Sequence, residues 1–138
     1  MKIAKKLLDE IISHAREVYP DECCGLLLGQ REPALVVTRV ARAVNQARER
    51  AQERYEIDPR EFHQIDKTTW GKEEEIIGFY HSHPDHPPLP SAFDAARAWP
   101  SYCYLIVSLQ APQGLCRAWI WREASSGWEE ASLKVESW

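Results

Sequence analysis

Two histidines, His81 and His83, stand two positions apart in Gly78-Phe79-Tyr80-His81-Ser82-His83-Pro84. On an extended strand that spacing points both imidazoles to one face, close enough to serve a single metal ion. A lone histidine at a strand end would read as an ordinary polar residue. A pair between an apolar strand and a proline-stiffened loop reads as a pair of ligands. Asp94, eleven residues after His83 in Pro90-Ser91-Ala92-Phe93-Asp94, can supply a third ligand and leave a fourth position for water. Three protein ligands and an open position mark a catalytic zinc site rather than a structural one. Imidazole also suits copper, nickel and iron. Zinc is the default for hydrolysis because it lacks redox chemistry.

Ser91 and Asp94 each have a second reading. A carboxylate in the first turn of a helix is favourable there in any case, and serine is a standard N-cap. Beside the histidines, the same helix start puts the Ser91 hydroxyl and the Asp94 carboxylate on one face. The serine can then donate to an oxyanion while the aspartate holds the ion. Glu22 lies between the first helix and the apolar run Gly25–Gly29, either in a solvated loop or held at a site. Cys23 and Cys24 could pair with a histidine as thiol and base, or join a Cys/His structural zinc; neither has a spacing signature. Cys103 and Cys116 fall within apolar strand patterns, His86 in the proline loop, and His14 and His63 within helical segments.

The elements that must carry these residues follow from periodicity. Ile3, Leu7, Leu8, Ile11, Ile12, Ala15 and Val18 recur at helical spacing, predicting an amphipathic helix over 3–18 that Pro20 ends. Gly25–Gly29 predicts a buried strand and 35–44 a second. Residues 45–54 are polar and predict a mobile loop. Tyr55-Glu56-Ile57 predicts a short strand. Asp58-Pro59 opens a helix with Asp as N-cap and Pro at the first position; its Phe62, Ile65 and Trp70 are expected to face the core, and Gly71 to end it. Residues 75–81 predict the strand that delivers the histidines. The four prolines of 84–90 give a stiff loop. Residues 102–109 and 115–121 predict a hairpin around 111–114, with a weaker last strand over 128–135. Helices and strands intermix, giving an α/β or α+β class with a central sheet packed by helices.

The chain has 138 residues, enough for one domain (1–138) with its own core. The net charge of −4 argues against a nucleic-acid binder. No run of about 18 apolar residues predicts a membrane span, and the N-terminus lacks a signal core, so a cytoplasmic location is the default. Four cysteines with no Cys-x-x-Cys pair indicate a reduced protein.

His81-x-His83-x7-Ser91-x-x-Asp94 resembles the His-x-His-x7-Ser-x-x-Asp pattern of the JAMM (MPN+) metalloproteases, small prokaryotic type. Pro20–Gly29 resembles the family's glutamate segment, and Tyr55–Pro59 its middle segment, so the resemblance covers nearly the whole chain. It implies a cytidine-deaminase-like α-β-α sandwich with a mixed central sheet. It implies one Zn2+ ion on His81, His83 and Asp94 with a water, Glu22 as general base and acid, and Ser91 as the oxyanion donor. It further implies hydrolysis of the amide bond after the C-terminal Gly-Gly of a ubiquitin-like or sulfur-carrier protein. Such a tail, free of side chains, can add along a sheet edge, with the loops 45–54 and 84–90 as groove walls and Trp99 or Trp70 as liners, although core packing is the default role for both tryptophans. The alternative is a non-catalytic MPN-type binding module for a ubiquitin-like partner. A nucleobase deaminase would need His-x-Glu and Pro-Cys-x-x-Cys, and this sequence contains neither.

Overall fold

The computed structural model describes residues 1–137. It is mixed α/β, built on one eight-stranded sheet. In chain order the elements are β1 (Lys2–Ala4), α1 (Lys5–Val18), β2 (Cys24–Gln30), β3 (Val36–Ala43), α2 (Pro59–Lys67), β4 (Glu75–His83), α3 (Ala92–Arg97), β5 (Cys103–Ser108), β6 (Leu115–Arg122), β7 (Gly127–Ala131) and β8 (Lys134–Glu136). The sheet order is β7-β6-β5-β4-β2-β3-β1-β8. β1 pairs in parallel with β3 and β8, and β4 with β5; the remaining pairs are antiparallel.

α1 lies against one face of the sheet. Its Leu7, Leu8, Ile11, Ile12 and Ala15 pack with Leu27, Val37, Ile77, Tyr80 and Leu105. Each fully buried aliphatic side chain among them contributes roughly 2 kcal/mol. Phe62 and Ile65 of α2 pack on a second apolar cluster formed by Cys24, Leu26, Leu28 and Ile76. Asp58 caps α2 by accepting from the Arg60 N–H, with Pro59 in the first turn, as its sequence predicts.

β4 carries the histidines, and its pairing with β2 is irregular. Leu27 pairs with Gly78 and Leu28 with Ile76, so Ile77 is an extra residue. A bulge of this kind reverses the alternation of side chains beyond it. Ile76 and Phe79, three positions apart, therefore share the α2 side, while Ile77 and Tyr80 share the α1 side. Gly78 sits at the bulge against β5, where a Cβ would lie 2.0 Å from the Cys103 carbonyl oxygen.

Several local expectations are corrected. The first element is two: Ile3 belongs to β1, because residues 2–4 are drawn into parallel pairing between β3 and β8. Residues 55–57 form no strand, and the last strand is broken at Ser132 into β7 and β8. Trp70 lies beyond the end of α2 and is 60% exposed rather than in the core. Trp99, also expected to pack in the core, is 65% exposed.

Candidate metal centre

β4 ends in an extended segment, so His81 and His83 lean to one side, toward the start of α3. Their Nε2 atoms are 3.2 Å apart. Asp94 Oδ2 lies 3.3 Å from each of them. Tetrahedral zinc with bonds of about 2.0–2.1 Å separates its donors by roughly 3.3–3.4 Å, so this triangle fits three donors of one such ion. All three residues are buried. Glu22 joins them from the loop before β2, with a carboxylate oxygen within 4.8 Å of the histidine nitrogens. The four groups thus come from three separate parts of the chain.

Each group is held differently. His83 Nδ1 is 2.8 Å from the Pro87 carbonyl oxygen. A carbonyl can only accept, so Nδ1 carries the proton and Nε2 presents its lone pair. The His81 ring is stacked on Tyr55, with centroids 4.6 Å apart, while its buried Nδ1 has no hydrogen-bond partner. Burial lowers the His81 pKa despite the neighbouring Asp94 charge, which keeps the imidazole neutral and able to ligate. Burial opposes ionisation of Asp94, but its contacts with the two imidazoles and the bond it accepts from the Ser91 N–H favour the carboxylate and hold it well below its usual range.

Ser91 and Asp94 form a reciprocal cap on α3. Asp94 Oδ2 accepts from the Ser91 N–H at 2.8 Å, and Ser91 Oγ accepts from the Asp94 N–H at 3.0 Å. The cap uses the serine oxygen only as an acceptor, so the hydroxyl hydrogen is still free to donate.

Glu22 is 3% exposed, and its Oε1 has no hydrogen-bond partner. Burial, then the Asp94 and Glu53 charges, push its pKa up to about 9. A buried, unpartnered carboxyl is costly, and such groups concentrate at functional sites. Its main chain is fixed by the 45–54 loop: Glu22 N–H donates to Ala51 O at 2.7 Å, and Asn45 Nδ2 donates to Glu22 O at 3.0 Å and Arg54 O at 2.9 Å. Asn45 Oδ1 accepts from the Ala47 and Glu56 N–H groups. Asn45 escaped the reading of the sequence; the only signal was an asparagine opening a polar loop, where its amide can replace backbone partners.

A cleft of about 440 Å³ opens beside Asp94, walled by Tyr55, Phe79, Phe93, Arg97, Trp99 and Tyr104. Trp99 thus lines a groove, whereas Trp70 is absent from its walls. At its edge the guanidinium groups of Arg54 and Arg97 lie over the Phe93 ring, 4.6 and 4.9 Å from its centroid.

A family model for prokaryotic homologs of the JAB domain matches residues 4–122. The chain belongs to this family, the small prokaryotic JAMM/MPN type. It is 37% identical to a desampylase from Haloferax volcanii over 99% of this chain and 96% of that protein. A solution structure of a Desulfitobacterium hafniense protein superposes with a TM-score of 0.88 at 34% identity, covering 99% of this chain and 93% of that one. A JAB1/MPN domain protein from Archaeoglobus fulgidus, 22% identical and covered over 99% of both chains, shares the fold with a TM-score of 0.63. Among the described residues no helix is long and apolar enough to cross a membrane.

Proposed function

We propose that this JAB-family chain is a single-domain zinc metallopeptidase, isopeptidase-like, that hydrolyses the amide bond following the C-terminal Gly-Gly of a ubiquitin-like or sulfur-carrier protein. The observation that carries this reading is the buried Glu22 carboxyl, unpartnered at Oε1, beside three converging donors. Near-full-length similarity to a desampylase supports the substrate class. Helices packed on a mixed sheet are consistent with a cytidine-deaminase-like sandwich. Four free cysteines suit a reducing, cytoplasmic setting.

His81, His83 and Asp94 would hold the zinc, their donor atoms forming the tighter set; Glu22, within the wider 4.8 Å group, is left for proton transfer. Zinc bound there would supply Lewis acidity, a water of pKa about 7, and a lowered Glu22 pKa. Glu22 takes the proton of the water nucleophile and returns it to the leaving amine, which requires a pKa near the working pH. The Ser91 hydroxyl donates to the scissile carbonyl oxygen as charge builds on it. The aromatic cleft beside Asp94 receives the tail.

The test is cleavage of a Gly-Gly-tailed carrier fusion by Glu22→Gln with zinc content measured in parallel. The expected result is one equivalent of zinc retained and turnover lost. Parental turnover in that variant would overturn the assignment of the base. Carrier binding without turnover in the parent protein would instead identify a non-catalytic MPN-type module.

A further inference from the structure

The loop after β4 is held from outside by its own carbonyl oxygens. Gln110 Nε2 donates to Asp85 O at 3.1 Å, Ser108 Oγ donates to His86 O, His83 Nδ1 donates to Pro87 O at 2.8 Å, and Trp119 Nε1 donates to Pro88 O at 3.1 Å. Four consecutive carbonyls are thus each taken by a side chain, and Tyr19 Oη adds a bond to the Asp85 carboxylate at 2.8 Å. A segment containing Pro84, Pro87, Pro88 and Pro90 has few N–H groups of its own; the Leu89 N–H also donates to Pro87 O at 2.8 Å, and the side chains hold the carbonyls on either side of it.

One of those carbonyls, Pro87 O, sets the tautomer of His83. A free neutral imidazole favours the proton on Nε2, the nitrogen that must be bare here to face His81 and Asp94. His81 has no comparable constraint, since its Nδ1 lacks a partner and its ring is positioned by Tyr55. Ser108 is fully buried, pairs across from His83 in the β4–β5 register and also accepts from the Gln110 N–H at 3.2 Å. Its hydroxyl is therefore committed to fixing the loop.

We propose that Trp119 and Ser108 are positioning residues for the metal centre, holding the 85–88 carbonyls so that Pro87 O keeps the proton of His83 on Nδ1 and its Nε2 lone pair on the site. The proposal rests on the metal reading above for its consequence, but the tautomer is a property of the metal-free protein. Partners that orient a ligating histidine are typically worth about 10- to 100-fold in metal affinity.

The test compares the 138-residue parent chain with Trp119→Phe, Ser108→Ala and Trp128→Phe. Trp128 is the control: its indole packs on Tyr104 and Trp121, and its buried N–H has no partner. Its replacement removes similar aromatic bulk without touching the loop. Two-bond 15N–1H spectra of the histidine rings in metal-free protein read the tautomer, and competition with a chromophoric chelator reads zinc affinity. The expected result is His83 protonated at Nδ1 in the parent, and a shift toward Nε2–H with about tenfold weaker zinc binding in Trp119→Phe and Ser108→Ala. Trp128→Phe should keep the parental tautomer and affinity whatever it does to the melting temperature. Parental tautomer and affinity in both loop variants, or equal losses in the control, would overturn the proposal. A parent that binds no zinc would sink the metal reading and with it any role at a metal centre, and a tautomer shift in the loop variants would then show only that these residues hold the His83 proton.

Discussion

Replacing Glu22 by glutamine should remove from the metal-free protein a loss of stability with rising pH that the parent carries. Unfolded, Glu22 gives up its proton near the ordinary 4.5; folded, burial raises this to about 9. Between those values the native state binds one more proton than the unfolded state, so stability falls as pH rises through the window and is level on either side of it. Each pH unit is worth about 1.4 kcal/mol. At pH 7, roughly 2.5 units above the ordinary value, the penalty is on the order of 3 kcal/mol. Glu22 is only 3% exposed, so solvent screening removes little of it. For a chain of 138 residues this corresponds to a melting temperature lowered by roughly 6–12 °C. Thermal unfolding of chelator-treated parent and Glu22→Gln from pH 5 to pH 9 should show curves that separate as pH rises, with the variant above the parent at pH 8. Parallel curves would refute the argument, since the native carboxyl would then titrate as it does in the unfolded chain. The same substitution is expected to abolish cleavage, making stability and activity move in opposite directions at one residue.

Other expectations follow from the same geometry. Ser91→Ala should lose the α3 cap, costing about 1 kcal/mol in a urea titration, and separately lower kcat by about 10²–10³; Ser91→Thr should restore the stability, and a full-rate alanine variant would remove the oxyanion role. Asp94→Asn should lose zinc in equilibrium dialysis against the parent, because an amide replaces the one anionic donor of the triangle; undiminished binding would point to Glu22 as the third ligand. Gly78→Ala should cost about 3 kcal/mol or more in denaturant unfolding, since its Cβ would meet the Cys103 carbonyl at 2.0 Å and neither backbone can retreat; an unchanged midpoint would mean that the β4 bulge is placed wrongly.

Much of the framework was legible because it is local. The Asp58-Pro59 start of α2, the Ser91 cap of α3 and the apolar runs of β2 and β5 are all recorded in neighbouring residues, and each appears within a residue or two of its expected place. The errors fall where a distant partner decides. Ile3 continues the helical spacing of α1, yet pairing with β3 and β8 makes it a strand residue. Trp70 and Trp99 have the composition of core residues, but each lies just past the end of a helix and stands exposed. Nothing in a one-dimensional pattern distinguishes a tryptophan that fills a core from one that walls a cleft.

By itself the sequence determined the chemical inventory. His81 and His83 must share a side of an extended strand, because side chains alternate with a period of two, and Ser91 and Asp94 must meet across one helical turn, because residues three apart are neighbours there. Tertiary structure alone decided which side of the sheet the histidines face, through the single extra residue at Ile77 that reverses the alternation of β4. It alone brought Glu22 to them, through β2–β4 pairing and the Asn45-braced loop. Burial then raised that carboxyl to about 9. A pKa shift of this kind is a property of the surroundings, and the sequence names the group without its surroundings.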